Sequence, residues 1–133
     1  MSPGNLRDRV ADEVAEAARL LRIAEALIGL GGFKDAANRA YYAVYHLSMA
    51  MLVLLGHEPR THAGVKALLG SELVRPGRID SRAAKTFAEL EDLRLASDYE
   101  SFSVVTREQA EHAVTSARDF EALTRACLDA QGF

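Results

Sequence analysis

Apolar residues near the N-terminus recur at alternating spacings of four and three positions. They are Val10, Val14, Ala17, Leu21, Ala24 and Ile28. This spacing stacks the side chains along one side of an α-helix, which turns once in about 3.6 residues. It predicts an amphipathic helix from about residue 7 to Gly29. Gly31 and Gly32 follow, and glycine is costly inside a helix but favoured just past its end.

Helix breakers and caps place the next two helices. The second helix is predicted from near Phe33 to about Gly56. Pro59 would end it, because proline cannot continue a helix without losing a hydrogen bond. Thr61 is then placed to cap a short third helix that runs through Leu73.

Two further helices complete the chain. The segment Val74–Asp80 contains an adjacent proline and glycine and is predicted to be a turn. A fourth helix is predicted over Ser81–Tyr99. Thr106 and Gln109 have the spacing of a capping box, which opens a fifth helix that runs to about Asp129.

The 133 residues therefore predict an all-α fold, an antiparallel up-and-down bundle of four long helices plus a short one. Only Phe102–Val105 has the composition of a strand, and one short run has nothing to pair with. No repeat or long linker divides the chain, so we expect a single domain over residues 1–133 with its core in about 7–129.

Charge and cysteine content limit which class of protein this is and in which compartment it works. The formal net charge of −3 argues against a protein that coats nucleic acid nonspecifically. The single cysteine, Cys127, fits a reducing cytoplasm, and no apolar stretch predicts a signal peptide or a membrane span. His57 and His62, with only Glu58 nearby, lack the ligand count of a zinc site. We therefore expect no metal and no cofactor.

The second helix carries apolar side chains on two nearly opposite sides. One side holds Ala40, Val44, Leu47, Met51 and Leu54, and the other holds Tyr42, Tyr45, Met49 and Leu52. A helix in a bundle needs only one apolar side. The second side therefore predicts either more of the same core or contact with another subunit.

Arg39 and His46 are seven residues apart on this helix, so they project in almost the same direction along the seam between its two apolar sides. Ala43 and Ala50 share the seam and would leave room for a second chain or a ligand. Asn38 lies one turn before Tyr42. Either Arg39 or His46 alone is most often structural, but the two together are a candidate functional site.

Charged residues also interrupt the apolar stripe on the inner side of the fourth helix. At the same spacing, the stripe continues onto Arg94 and then Asp98, and Tyr99 follows. One interpretation is a simple Arg94–Asp98 pair, worth about 0.2–0.5 kcal/mol. The other is that Asp98 reaches across to Arg39 or His46 and fixes its orientation.

Three segments, Asn38–His46, Thr61–Val65 and Arg94–Tyr99, resemble short prokaryotic HEPN proteins. Arg39 and His46 match the Arg-x(4 to 6)-His motif of that family, with six residues between them. The resemblance covers roughly residues 10 to 128. It implies a helical bundle that dimerises, here through the second helix, so that two motifs face one another across a cleft.

The resemblance also implies two functions, which stay open as alternatives. Many HEPN proteins are metal-independent ribonucleases, often toxins paired with a nucleotidyltransferase antitoxin; others are noncatalytic modules that bind a nucleotide or such a partner. In the first case His46 would be the acid/base and Arg39 the phosphate clamp. Active members commonly carry a polar residue after the arginine, where this chain has Ala40, which keeps the second case open.

Overall fold

The computed structural model describes residues 3–99 and 104–133, and these contain helices but no strand. The elements in chain order are α1 Pro3–Gly29, α2 Phe33–Leu54, α3 His62–Leu68, a π-helical segment Leu69–Val74, α4 Arg82–Tyr99 and α5 Arg107–Ala130. The predicted all-α bundle of four long helices and a short one is confirmed. None of the described helices combines the length and the apolar character needed to cross a bilayer.

Helix α2 is the centre of the bundle, since it packs against α1, α5, α4 and α3. Only residues 30–32 connect α1 to α2, and so short a connection makes the two helices antiparallel neighbours. Gly31 has a φ of 80° in this connection, a conformation that glycine adopts without a steric penalty. The α1/α2 pair is the most extensive in the fold.

The second apolar side of α2 is mostly core. Met49 and Leu52 are buried within the chain itself, and Tyr42 and Tyr45 are only half-buried. The first of the two sequence interpretations, more of the same core, therefore holds for the C-terminal half of the helix. Ala43 and Ala50 are also buried, so the space beside them is filled by this chain.

The third predicted helix has two parts. Thr61 caps its start as predicted, with the side-chain oxygen accepting from Gly64 N–H at 2.9 Å. The α-helix ends at Leu68, however, and the chain continues to Val74 as a π-helix. The N–H of Arg75, five residues beyond Gly70, donates to the Gly70 carbonyl at 2.9 Å, which is the wider π-type spacing. Sequence periodicity did not separate these two kinds of turn.

The capping box of the last helix is present, with Thr106 and Gln109 each bonding the other's backbone N–H. The strand candidate Phe102–Val105 lies partly outside the described residues, and Val104 and Val105 are in neither a helix nor a strand. Cys127 is buried in the core, and burial raises the pKa of its thiol. It is therefore an unreactive apolar side chain.

Candidate functional site

His46 is held by a carboxylate from the neighbouring helix. Its Nδ1 lies 2.7 Å from Oε2 of Glu13 on α1, and the two side chains are only 28% and 21% exposed. Glu13 is not among the residues that the sequence predicted for the site. Its position held a usable signal, because Glu13 comes three residues after Val10 and four before Ala17, both fully buried. The acid therefore lies on the inner face of α1, where an apolar residue is expected.

A second acid, Glu16, follows on the same edge of α1. Hydrogen bonds from Arg19, at 2.9 and 2.5 Å, are the main cause that lowers the pKa of Glu16, and the charge of His46 contributes less. The field of Glu13 also reaches Tyr45, whose pKa is raised by burial and secondarily by Glu13. This edge of α1 therefore presents negative charge to the histidine and tyrosine of α2.

Arg39 is half-buried and, among the side chains that the structure describes, makes no hydrogen bond or ion pair. Its guanidinium can therefore bind an incoming anion. His46 lies seven positions further along the helix, which is about 10 Å along the axis. The two side chains share a face, as predicted, but lie two turns apart on it.

An aromatic cluster, which we define as Tyr41, Tyr42, Tyr45 and His62, lies beside this edge. The His62 ring stacks on Tyr45, with centroids 4.5 Å apart, and on Tyr41 at 5.7 Å. Its Nδ1 is 2.6 Å from the Tyr41 hydroxyl. The Tyr45 ring in turn meets His46 edge-on at 5.7 Å. The cluster is therefore continuous with the His46 site.

Arg94 from α4 covers the other side of the aromatic cluster. Its guanidinium lies 5.2 Å from the ring centre of Tyr41 and 5.4 Å from that of Tyr42, within the range of cation–π attraction. Burial lowers the pKa of His62, and the charge of Arg94 lowers it further. Burial also raises the pKa of the Tyr41 hydroxyl. Both groups are therefore held in their neutral forms.

The structure places the other predicted site residues as follows. Tyr42, Arg94 and Asp98 lie together, since Asp98 is 3.9 Å from Arg94. The hypothesis that Asp98 reaches across to Arg39 or His46 is wrong, because Asp98 pairs with Arg94 within α4 and the carboxylate beside His46 is that of Glu13. The side chain of Tyr99 lies outside the described residues.

Three residues that the sequence singled out remain to be placed, namely Asn38, His57 and His62. Oδ1 of Asn38 is buried and has no hydrogen-bond partner in the described part of the chain. His57 lies 3.8 Å from Glu72. His62 is the first residue of α3 and also the centre of the aromatic cluster. Within residues 3–99 and 104–133, no three potential ligands group to hold a metal ion.

Comparisons with known proteins agree with the resemblance carried by the three sequence segments. The family model for the HEPN domain matches residues 11–126. A Methanocaldococcus jannaschii protein named "Putative toxin" is 29% identical over 87% of this chain and 86% of its own length. A UPF0332 protein from Gloeobacter violaceus is 33% identical over 71% of this chain and 70% of its own.

A solved structure shares the fold. The crystal structure of TT1696 from Thermus thermophilus superposes with a TM-score of 0.76, over 90% of this chain and 98% of the other, at 21% sequence identity. At so low an identity, the match shows the fold alone. The family match spans most of the sequence, including Glu13, Arg39, His46 and Arg94. The chain belongs to the HEPN domain family.

Proposed function

We propose that this protein is an endoribonuclease that acts as a toxin, with His46 as the acid/base and Arg39 as the phosphate clamp. The observation that carries the proposal is the pairing, on one helix face, of a partly exposed imidazole held by Glu13 and an arginine without an ion-pair partner among the described side chains. Membership of the HEPN family and the name of the Methanocaldococcus relative support the toxin role. The buried thiol of Cys127 fits the reducing cytoplasm.

The proposed reaction is attack of an RNA 2′-hydroxyl on the adjacent phosphate. His46 takes the hydroxyl proton while the 2′-oxygen forms a bond to phosphorus and the bond to the 5′-oxygen breaks. The leaving 5′-oxygen then takes up a proton from an imidazolium or from water. The products are a 2′,3′-cyclic phosphate and a 5′-hydroxyl. Arg39 would stabilise the negative charge that develops on the phosphoryl oxygens.

We further propose that the working form is a homodimer. The axial separation of about 10 Å between Arg39 and His46 favours a phosphate bound between motifs of two copies over one held by a single motif. Most of α2 is covered by its own bundle, so the surface left for a second copy is the edge that carries Arg39, Tyr42, Tyr45 and His46. Sedimentation of wild-type protein should give twice the mass of one chain.

The decisive experiment is RNA cleavage in the presence of EDTA, followed by analysis of the product ends. His46→Ala should lower the rate by about 10²–10⁴-fold, the usual contribution of a general acid or base. His112→Ala is the matched control, because His112 is an exposed histidine on α5. Cleavage that persists undiminished in His46→Ala, or that leaves 3′-hydroxyl ends, would refute the proposal.

Arg39 has its own test in the same assay. Arg39→Ala should lower the cleavage rate by about 10²–10³-fold, since one charge-stabilising donor is lost. Arg39→Lys should restore only part of that rate, because lysine keeps the charge but not the planar fork of donors. Arg125→Ala, which removes an exposed arginine from α5, should cleave at the wild-type rate.

One observation favours a second candidate function, a noncatalytic module that binds a nucleotide or a nucleotidyltransferase antitoxin. The position after Arg39 is Ala40, which is buried and offers no polar group to a substrate. Coexpression with the product of the neighbouring gene separates the two candidates. A stable complex with a nucleotidyltransferase, from a protein that alone leaves RNA intact, would replace the ribonuclease proposal with this one.

A further inference from the structure

We infer that Glu13 is a positioning residue that fixes the tautomer of His46, leaving Nε2 as the nitrogen that exchanges the proton with the substrate. The kinetic part of this inference rests on the proposed ribonuclease function. The tautomer itself does not, because it is a property of the folded chain. Glu13 would thus act through His46 and would not touch the RNA.

The direction of the hydrogen bond follows from the two groups that form it. An ionised carboxylate is only an acceptor, so the Nδ1 of His46 must donate to Oε2 of Glu13. The 2.7 Å separation is in the range of charge-assisted hydrogen bonds. A neutral imidazole with its hydrogen on Nδ1 has its lone pair on Nε2. That lone pair is what a general base needs.

The ring is also held from a second side. Tyr45 meets His46 with the two ring planes at 89° and their centres 5.7 Å apart. Glu13 thereby fixes one nitrogen while the neighbouring aromatic ring limits rotation of the imidazole. When Nε2 takes a proton, the imidazolium keeps a carboxylate beside it, which stabilises the charged intermediate.

The position of Glu13 favours this role over a simple brace between helices. The residue shares the inner face of α1 with the fully buried Val10 and Ala17. A carboxylate at such a position loses hydration, a cost that an apolar side chain would avoid. The surface pair Lys85–Glu89 is a contrast, since its side chains are 78% and 48% exposed and lie 3.9 Å apart. Glu13 is therefore placed at a cost that a functional role would explain.

The first test uses no RNA. Nitrogen NMR of the full chain labelled at histidine should show His46 with its hydrogen on Nδ1 in the wild type. In Glu13→Ala the hydrogen should move predominantly to Nε2, the form favoured by a free imidazole. Glu16→Ala, which removes the next acid on the same helix, should leave the tautomer unchanged. A wild-type hydrogen on Nε2, or a tautomer unaltered in Glu13→Ala, overturns the inference.

The second test is kinetic. Glu13→Ala should lower kcat for RNA cleavage by about 10²-fold and change KM by less than about threefold. Glu13→Asp, which keeps the carboxylate, should recover part of kcat. Asp12→Ala, which removes an exposed acid from the same helix, should match the wild type. An unchanged kcat in Glu13→Ala overturns the positioning role. If the wild type leaves RNA intact, the proposed function fails while the NMR measurement still decides the tautomer.

Discussion

His46 and His62 lie on either side of Tyr45 and have opposite electrostatic surroundings. Nδ1 of His46 faces the carboxylate of Glu13, and the ring is more than a quarter exposed. Nδ1 of His62 faces the hydroxyl of Tyr41, and burial together with Arg94 lowers the pKa of His62. A neighbouring acid stabilises a protonated imidazole, whereas burial beside a cation disfavours one.

This difference in electrostatic surroundings favours different roles for the two histidines. Under the proposed function, His46 exchanges a proton with the RNA while the carboxylate of Glu13 lies beside it. His62 is held neutral and joins α3 to α2 by stacking and a hydrogen bond. The resemblance segments include both residues, so the sequence alone did not separate them. What distinguishes them is the group that each Nδ1 contacts, a carboxylate for His46 and a tyrosine hydroxyl for His62.

Removal of the core beneath His62 should give the largest effect. Phe87 is fully buried and meets Tyr41 edge-to-face at 5.7 Å. Phe87→Ala should lower the free energy of unfolding by about 3–5 kcal/mol, measured by urea denaturation. Leu95→Ala, at a more exposed position of α4, should cost much less. Equal losses would contradict a structural role for the His62 region.

The threonine cap of α3 should give a smaller effect. Thr61 accepts a hydrogen bond from Gly64 N–H, so Thr61→Ala should cost about 1 kcal/mol of stability. It should leave the His46 tautomer unchanged, because the two histidines are held by different helices. Thr115→Ala, at an exposed position in α5, is the control. A shifted His46 tautomer in Thr61→Ala would show that the two regions are coupled.

The pH dependence of stability sharpens the same comparison. The pKa of His62 is lowered in the folded chain from its ordinary value of 6.5, so the unfolded chain takes up the proton first as the pH falls. The contribution of His62 to stability is therefore full above about pH 6.5 and declines below it. Urea denaturation from pH 7.5 to 5.5 should show a flatter profile for His62→Gln than for the wild type. An identical profile would refute the lowered pKa.

Asp98 should give the smallest effect. Its side chain is 44% exposed and lies 3.9 Å from Arg94, so the pair is a weak one within a helix. Asp98→Asn should change the free energy of unfolding by no more than about 0.5 kcal/mol and leave RNA cleavage at the wild-type rate. A loss of cleavage as large as that of His46→Ala would return Asp98 to the site.

Local sequence patterns were sufficient for most of the fold. Helix spacing, the glycines after α1 and the caps at Thr61 and Thr106 depend on residues within one turn of each other, and the structure has all of them. The π-helical segment Leu69–Val74 was not predicted, because its buried residues Leu69 and Leu73 are four positions apart, a spacing that also suits an α-helix. The end of α2 was placed two residues too late.

The candidate site was predictable only in part. Arg39 and His46 share a helix, so their common direction could be derived from their spacing. The pairing of Glu13 with His46 joins residues 33 positions apart, and it depends on how two helices align. The stacking of His62 on Tyr45 likewise depends on the path of the loop before α3. Contacts between elements are set by packing, which periodicity does not encode.

The short connection between α1 and α2 has a consequence for the order of folding. Glu13 and His46 both lie in a hairpin of two helices that ends at Leu54, before His62 and Arg94 in the chain. The aromatic cluster needs α3, and Arg94 joins it from α4. Because chains are synthesised from the N-terminus, we expect the acid–imidazole pair to assemble on the nascent chain first. His62 and Arg94 would then join a preformed hairpin.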